Sequence, residues 1–494
     1  MTRILSIVKI QLHSGTLYCR IMAVATRQPL LFIYICFHVF ISFLGGTKLD
    51  LIKNWKIHVF ALLLVIVAEF IGIQKHGLVI FLPMLYALVL GGIISYPSFH
   101  ILNEKQMTRA GNLMGITMLF LIAKIGLGIG PNLHLLLNSG LALIMQEFGH
   151  FFGTLIFGLP TAILLKMGRE AIGACYSIDR EANVAIIVEK FGIFSPEGRG
   201  VMGMYICGTL FGALWISILA GIVSRTGIFH PYALAMGGGI GSASMMAASV
   251  GSIVAVFPDE VQKITAFAGA ANLMTSVIGI YFSLFISLPV TIKVYEFVTG
   301  RKRKDEVTEE EQADTKTKET MAQNEEAVAA DIKKEETEEQ EAKKGSTLSD
   351  DLLILCITGF LTLVANFVGF KVNPLDDWLG ILVIIAICLV GILIAHVPVL
   401  NKLPNVFWVS IVAVVVSIPS IPGAEWITTI TKNVNFLAAC TPILAYGGLS
   451  LGKDIPAFKR LSWRIVPVAL MVSSGTFICA TVMAEIMLHL EGVI

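Results

Sequence analysis

Two ionisable side chains three residues apart lie inside an apolar stretch of this sequence. Glu147 and His150 belong to the apolar run Ser139–Leu165, and a spacing of three residues places them on one face of a helix. Ionisable groups inside a membrane-length apolar run are costly, and imidazole titrates near neutral pH. The pair is therefore a candidate proton relay. An interfacial pair satisfied by neighbouring polar groups explains the same pattern equally well.

A second polar group follows in Ala270-Ala271-Asn272-Leu273-Met274-Thr275-Ser276. The amide of Asn272 and the hydroxyl of Thr275 are uncharged groups that suit a sodium ion or a carboxylate. Polar side chains of this kind also form hydrogen bonds between membrane helices. Both interpretations remain open for this segment.

The longest run of small residues in the chain is Ala235–Ser249, which reads AMGGGIGSASMMAAS. Each glycine weakens a helix by about 1 kcal/mol, so three adjacent glycines predict an interruption. At membrane depth, irregular backbone is tolerated only where it is buried in protein or lines a cavity. We therefore predict a broken or re-entrant helix whose backbone binds a solute or ion; a surface for close helix packing is the alternative. The candidate residues are Gly237, Gly238, Gly239, Gly241, Ser242 and Ser244.

A second interruption is predicted at Thr441-Pro442, because proline removes a backbone donor and clashes with the preceding helical turn. Asn435 precedes it as a polar candidate, and Gly447 and Gly448 follow it. We expect this break to meet the hairpin Gly237–Ser249 and complete a substrate- and ion-binding site. Glu69 and Lys124 lie near the ends of apolar runs, and we expect structural roles for both.

The sequence shows no recognisable enzyme signature. Neither a metalloprotease helix motif, nor a phosphate-binding loop, nor a nucleophile elbow occurs. The eight cysteines are dispersed and show no metal-ligand spacing, so they are interpreted as buried apolar residues. We predict no enzymatic activity, no metal site, no nucleic-acid partner and no cofactor, with a bound sodium ion as the one candidate.

The elements that must position these residues are membrane helices. The 494 residues are 55% hydrophobic and only 14% charged, whereas soluble domains carry about 25% charged residues. The predicted fold class is all-α, a polytopic transmembrane helical bundle with inverted repeats and a Gly-rich broken or re-entrant helix. Predicted spans are Lys56–Ile73, Gly77–Ser95, Ala110–Gly130, Ser139–Leu165, Gly200–Ser224, Ile264–Val298, Leu352–Phe370, Trp378–His396, Leu403–Ile421, Ile427–Leu451 and Trp463–Leu490.

Four regions follow from the composition. Residues 1–54 form an N-terminal extension whose apolar run could be a signal peptide, an extra span or a translated upstream region. Residues 55–298 form the first transmembrane half, and residues 351–494 the second. Residues 299–350 are a charged linker that cannot bury enough apolar surface to fold; a solvated tether is the simpler interpretation, and a partner-binding segment the alternative.

An internal repeat relates the two halves. Leu82-Pro83 leads to Ser95, and Leu403-Pro404 leads likewise to Ser417, at offsets of 321 and 322 residues. The segment Gly126–Gly130 matches Gly448–Gly452 at an offset of 322 residues. Such repeats are typical of secondary transporters.

Lys and Arg gather in alternate connections, among them 166–199 and 301–304, which the positive-inside rule places in the cytoplasm. Both connections can be cytoplasmic only if the Gly-rich stretch between them enters and leaves by the same face. The same pattern puts an odd number of crossings between the starts of the repeats, so the repeats are predicted to be inverted.

The segment Met167–Ala174, continuing through Ser177–Glu181, resembles the most distinctive part of bacterial membrane proteins carrying the uncharacterised domain numbered 3100 among domains of unknown function. This resemblance covers roughly residues 55–490. On Gly237–Ser244 and Thr441–Gly452 the chain also resembles, more distantly, the superfamily of cation–proton antiporters, sodium–glutamate symporters, lysine exporters and 2-keto-3-deoxygluconate permeases. The superfamily resemblance implies two broken helices meeting around a small organic anion with sodium or a proton, and a homodimer. This chain departs from it, because no second Gly-rich hairpin follows the second repeat.

The sequence thus predicts a secondary active transporter, a symporter in the bacterial cytoplasmic (inner) membrane, for a small anionic organic solute such as a carboxylate or amino acid. Sodium or protons would drive it by alternating access, and residues 299–350 would be cytoplasmic. The alternative is a channel or a non-transporting membrane scaffold that acts through the charged linker.

Overall fold

The computed structural model describes residues 55–77, 79–177, 180–192, 195–300, 348–397, 400 and 403–494. Residues 60–494 form one compact unit, and of the remaining unit only Trp55–Val59 is described. The predictions for residues 1–54 and for most of the linker 299–350 therefore lie outside the described residues.

The described chain is almost wholly helical. Two short antiparallel strands, β1 (Gln74–His76) and β2 (Val79–Phe81), form the one sheet of the described residues. The helices before the linker are α1 (Trp55–Ile71), α2 (Pro83–Ile94), α3 (Glu104–Ile129), α4 (Leu133–Asn138), α5 (Gly140–Gly153), α6 (Leu159–Leu164), α7 (Glu170–Cys175), α8 (Arg180–Phe191), α9 (Pro196–Cys207), α10 (Ala213–Thr226), α11 (Pro231–Gly238), α12 (Ala243–Val256), α13 (Val261–Phe282) and α14 (Leu288–Thr299). Those after it are α15 (Leu348–Phe370), α16 (Pro374–Ala395), α17 (Asn405–Ser417), α18 (Ala424–Thr431), α19 (Phe436–Ser450), α20 (Ile455–Arg460) and α21 (Ile465–Leu490).

Seven helices or continuous helix runs of the described residues are long and apolar enough to cross a membrane. An eighth crossing is formed if the bent pair Ala424–Thr431 and Phe436–Lys453, inclined at 66°, counts as one span. The predicted all-α polytopic bundle is confirmed, and the protein is a multi-pass membrane protein. Short π-helical turns, Thr154–Gly158, Gly208–Gly212 and Ser283–Ser287, interrupt three of the spans.

Two predicted spans are shorter in the structure. The segment 77–95 contains the end of the strand pair and a helix of only 12 residues, and the segment 403–421 a helix of 13 residues. Proline fixes the start of both, Pro83 as the first residue of α2 and Pro404 as the N-cap of α17. At 1.5 Å per residue, neither crosses a hydrocarbon layer of about 30 Å.

The repeat is visible in the packing of four helices. Ser95, the residue that caps the end of α2, donates through Oγ to Gly448 O (3.0 Å) and accepts from Gly452 N (3.1 Å) of the second repeat. The residue 322 positions later, Ser417, lies in the same way against Gly126 and Gly130 of the first repeat. Each serine therefore contacts the glycines of the other repeat that match the glycines of its own. Such reciprocal contacts are those of an isologous interface, in which equivalent patches meet about a two-fold axis.

The long helices α3 and α19 are repeat mates, and they run antiparallel. Gly111 of α3 lies beside Ser450 of α19, while Lys124 Nζ donates to Thr431 O (2.6 Å) beyond the other end of α19. Mates that run in opposite directions belong to repeats of opposite orientation. The packing therefore agrees with inversion of the two copies.

A further pair of repeat mates crosses at glycine. A side chain on Gly153 of α5 would collide with Gly475 O of α21, and one on Gly475 would collide with Gly153 O. The two glycines are 322 residues apart, within the matching segments Gly153-Thr154-Leu155-Ile156 and Gly475-Thr476-Phe477-Ile478. This contact of a residue with its own mate marks a point on the pseudo-two-fold axis. The repeat thus extends to α21, beyond the two matches first visible in the sequence.

Candidate functional site

The Gly-rich stretch forms two helices separated by a four-residue break. Helix α11 begins at Pro231 and ends at Gly238. His230 caps its start, because the His230 ring accepts from Tyr232 N (3.3 Å). Helix α12 begins after Ser242, whose hydroxyl accepts from Met245 N (3.4 Å). Gly241 in the break has φ +91°, a conformation that favours glycine. The predicted interruption therefore lies at Gly239–Ser242.

Two side chains hold the break open by binding its carbonyl groups. Asn272 Nδ2, on α13, donates to Gly239 O (2.8 Å) and to Gly241 O (3.3 Å). Ser249 Oγ, on α12, donates to Gly238 O (2.8 Å). Among the described residues no other group donates to Gly239 O or Gly241 O, so the amide of Asn272 satisfies both carbonyls. A sodium ion at these carbonyls would compete with Asn272.

Gly237, just before the break, and Gly239, its first residue, pack against other helices. A Cβ on Gly237 would collide with Thr481 Oγ1 of α21, and a Cβ on Gly239 would lie 2.5 Å from Ala268 O of α13. The close-packing interpretation therefore holds for these two residues, and their lack of a side chain lets the break sit between α13 and α21. Ser242 and Ser244 are half-buried, and their hydroxyls lie 3.1 Å apart.

Glu147 is joined to the same helix that pins the break. Thr275, one turn after Asn272 on α13, donates to Glu147 Oε1, which also accepts from Gln146 Nε2 (3.3 Å). Glu147 Oε2 lies 3.6 Å from His150 Nδ1, and both side chains are buried. Asn272 and Thr275 therefore link the break to the ionisable pair, and a protonated His150 would form an ion pair with this carboxylate.

The break also presents free backbone donors. In the part of the chain that the structure describes, the N–H groups of residues 240–244 bind no protein acceptor, and residues 241–244 are partly accessible. Helix α12 follows directly, so the positive end of its dipole points to the same place. Backbone donors at the start of a helix favour a carboxylate or another anion. The candidate site thus combines backbone donors at the start of α12 with, at Glu147, a buried carboxylate.

The loop before the hairpin is fixed by a polar network. His230 N donates to Glu485 Oε2 (2.9 Å), and Tyr232 Oη donates to Glu260 Oε2 (3.2 Å), which also pairs with Lys263 (3.2 Å). Burial lowers the pKa of the His230 imidazole, while the charges of Glu485 and Glu260 oppose that shift. These contacts hold both ends of the hairpin beside the C-terminal part of α21.

The second break lies between α18 and α19. Asn435 caps α19 by accepting from Leu437 N (2.9 Å), and its own N–H donates to Asn366 Oδ1 (3.3 Å). Thr441 Oγ1 donates to Glu69 Oε1 (2.6 Å), and Pro442 follows within the helix. The bend of 66° is at residues 432–435, before rather than at the predicted Thr441-Pro442.

Gly447 and Gly448 have a packing role in the structure. A Cβ on Gly447 would lie 3.1 Å from Met114 Sδ of α3, and Gly448 lies against α2. The hairpin meets α19 elsewhere, where a Cβ on Gly251 would lie 3.2 Å from Leu437 Cδ2. Thus the described contacts bring Gly238, Gly239, Gly241, Asn272, Thr275, Glu147 and His150 together. They gather Asn435 and Thr441 in a second polar cluster with Glu69.

The start of the segment that resembles the DUF3100 family forms the buried helix α7. Arg169 is 3% exposed and donates to Glu197 Oε1 (2.7 Å) and to Glu296 Oε1 (3.2 Å). Burial by itself lowers the pKa of the guanidinium, but the hydrogen bonds and charges of Glu197 and Glu296 raise it above its ordinary value. A buried charge with two such partners ties α7 to α9 and α14.

Sequence reasoning missed several members of these clusters. Ser249 was part of the Gly-rich stretch, but nothing in the sequence shows that its hydroxyl turns back to Gly238 O. Thr481 and Gln146 carry buried oxygens without a partner in the described part of the chain. Gln146 directly precedes Glu147 in the sequence, and this was the signal that could have identified it. Glu69 was visible in the sequence as an ionisable group near the end of an apolar run; in the structure it is 3% exposed and binds Thr441.

Residues 66–297 match the family model described as protein of unknown function DUF3100. This match confirms the resemblance over the first transmembrane half, from α1 to α14. No curated protein and no solved structure matches the chain significantly.

Proposed function

We propose that this chain, which carries the DUF3100 domain over residues 66–297, is a secondary active transporter of a small organic solute with a carboxylate group. The observation that carries the proposal is the break at Gly239–Ser242, held open by Asn272 and linked through Thr275 to Glu147. Interrupted helices that present backbone groups inside a membrane protein are typical of transporter binding sites.

The chemistry of the break favours an amino acid within that class. The free N–H groups of residues 240–244 suit a carboxylate, and Glu147 suits an ammonium group. Asn272 and Thr275 are separated by one helical turn, which is about 5–6 Å between Cβ atoms, so the two ends of the site are close together. Among the described residues, Glu147 pairs with neither lysine nor arginine; its one ion-pair partner is His150. A dicarboxylate would place its second carboxylate against Glu147.

The inverted repeats support alternating access. Reciprocal contacts such as Ser95 with Gly448 and Ser417 with Gly126 relate matching segments of the two halves. In transporters with inverted repeats, movement of one repeat against the other opens the site to opposite faces in turn. The proposal includes coupling to sodium or protons, a location in the bacterial inner membrane and a cytoplasmic linker. It does not include an enzymatic activity.

Uptake into vesicles tests the proposal. Purified protein in lipid vesicles should accumulate at least one labelled amino acid when a sodium or proton gradient is imposed, and vesicles without protein should not. The Glu147→Gln variant should lose accumulation, because it removes the buried carboxylate of the site while preserving side-chain shape. Accumulation of no amino acid or carboxylate under either gradient would contradict the proposal.

A further inference from the structure

The break between α18 and α19 contains buried oxygen atoms that the solute site does not use. Glu69 Oε2, Thr362 Oγ1 and Asp377 Oδ1 are fully enclosed, and none has a hydrogen-bond partner in the described part of the chain. Glu69 is 3% exposed, and Thr362 and Asp377 are completely buried. An unpaired polar group in an apolar interior costs about 1–3 kcal/mol, and more when it is charged.

These oxygens lie along one face of α15. Thr362, Asn366 and Gly369 follow at helical spacing, four and then three residues apart. Asn366 Nδ2 donates to Asp377 Oδ2 (2.6 Å), and a Cβ on Gly369 would collide with Glu69 Oε2. Glycine at position 369 thus leaves room for the carboxylate against the end of α15.

The same face of α15 meets the bend before α19. Asn366 also donates to Asn433 O (2.8 Å) and accepts from Asn435 N (3.3 Å), and Thr441 of α19 donates to Glu69 Oε1 (2.6 Å). Irregular backbone, a helix N-terminal segment and two carboxyl groups therefore converge at one place. Each carboxyl group has one oxygen bound by a neighbour and the other left unbound.

The nearby ammonium groups are occupied elsewhere. Lys124 Nζ donates to Thr431 O (2.6 Å), and Lys371 Nζ donates to Val368 O (2.6 Å). Neither Glu69 nor Asp377 has an ion-pair partner within 4.0 Å among the described residues. A proton on Glu69 Oε2 would turn the unpaired acceptor into an unpaired donor. A bound cation, in contrast, satisfies the oxygen directly.

We infer that the junction of α1, α15 and α19 is a sodium site in which Glu69 Oε2 is a ligand and Thr441 orients the carboxylate. Carboxylate, hydroxyl and carbonyl oxygens are the ligands that hard cations prefer. Thr362 lies seven residues before Gly369, about 10 Å along α15, so its hydroxyl is a separate unpaired oxygen and not a ligand of the same ion. The inference deepens the proposed function, because it assigns the coupling ion to a site separate from the Gly-rich break.

Equilibrium binding of radioactive sodium to the purified full chain, without solute and with choline as the replacing cation, tests the inference. The wild-type protein should bind sodium, and Glu69→Gln should weaken that binding by at least about 10-fold, the scale found when metal-site residues are removed. Thr441→Val should weaken it by roughly 10-fold while leaving the ligand in place. Glu197→Gln is the matched control, a buried carboxyl that pairs with Arg169 (2.7 Å) outside both clusters, and should bind sodium like the wild type.

A second measurement covers the case in which Glu69→Gln does not fold. The unfolding midpoint of the wild type should rise with sodium but not with choline at equal ionic strength, by mass action on the folded state. Unchanged sodium binding by Glu69→Gln, or no binding by the wild type, would overturn the site. Sodium binding is measured without solute, so its result does not depend on the solute site. If the transporter proposal failed, sodium binding would still be expected.

Discussion

At the scale of single residues, Asn272 is the side chain on which the break depends. Its amide donates to two carbonyls of the interruption, Gly239 O and Gly241 O, and the hydroxyl one turn later reaches Glu147. The pair Asn272 and Thr275 was predicted from the sequence as polar residues suited to a solute or ion. The carbonyls that Asn272 binds could not be predicted, because they depend on how α13 packs against a broken helix.

Asn272→Ala should lower the free energy of unfolding by about 1–3 kcal/mol, because it strands buried carbonyl groups. It should also abolish solute binding by letting the break close. Thermal unfolding and binding by the same purified protein measure both effects. Asn132→Ala is the control, since Asn132 Nδ2 donates to Gly128 O (2.8 Å) outside the site; solute binding should survive there. Equal binding by Asn272→Ala and the wild type would remove Asn272 from the site.

Gly239→Leu should destabilise the fold itself, because the space around this position is already filled. A Cβ at this position already lies 2.5 Å from Ala268 O and 2.8 Å from Ala271 Cβ. Overpacking of this kind costs about 1–3 kcal/mol, and a leucine side chain adds to it. The variant should therefore unfold at a lower temperature than the wild type. An unchanged midpoint would show that α13 can move away from the break.

At the scale of helices, glycine and serine contacts make the repeat visible. The sequence identified the mates Ser95 and Ser417, and Gly126–Gly130 with Gly448–Gly452, because short identical segments recur at a constant offset. It did not show that each serine packs against the glycines of the opposite copy. Nor did it show the crossing at Gly153 and Gly475, where the shared letters are few and apolar sequences resemble each other.

Gly153→Ala should destabilise the crossing of α5 and α21 by about 1–3 kcal/mol, because the added methyl group would collide with Gly475 O. Gly115→Ala is the matched control on α3, where nothing lies within 4 Å of the added carbon. It should be neutral or should stabilise the protein by up to about 1 kcal/mol. Thermal unfolding compares the two, and equal midpoints would contradict the crossing.

Ser95→Ala should cost more stability than Ser417→Ala. Ser95 Oγ binds Gly448 O and Gly452 N across the repeat interface, whereas Ser417 Oγ binds mainly its own helix through Ala413 O (2.8 Å) and Val414 O (3.0 Å). Loss of a buried partner costs about 1–3 kcal/mol. Chemical or thermal unfolding of the two variants, measured side by side, tests this difference. A larger loss of stability in Ser417→Ala than in Ser95→Ala would contradict it.

At the scale of the whole molecule, two repeat halves of opposite orientation enclose two separate polar clusters. Composition and hydropathy were sufficient to predict a multi-pass helical bundle, because few charges and long apolar runs leave no other fold class. Composition and hydropathy could not predict that the two polar clusters are distinct, since the sequence shows two interruptions but not which helices lie between them. The expected meeting of the hairpin with Thr441 and Gly448 was based on the superfamily resemblance; the described contacts place Thr441 with Glu69 instead.

Removal of the charged linker distinguishes a transporter from a scaffold. Replacing residues 305–345 by a flexible segment of equal length should leave solute uptake by vesicles nearly unchanged, because the site residues lie outside it. The replacement spares Asp351, which is buried at the start of α15. Intact uptake would exclude a function that acts through the linker alone, whereas complete loss in a correctly folded protein would favour the scaffold.

The most direct test of the solute site is the unfolding midpoint of the purified protein against a panel of amino acids and carboxylates, each in sodium or potassium. A ligand that binds only the folded state raises the midpoint, by the equivalent of about 2.7 kcal/mol at 100 times its dissociation constant. We predict that at least one amino acid raises the wild-type midpoint, more strongly in sodium, and that Asn272→Ala abolishes the effect. A panel without any shift, or a shift that Asn272→Ala preserves, would contradict a solute site at the Gly-rich break.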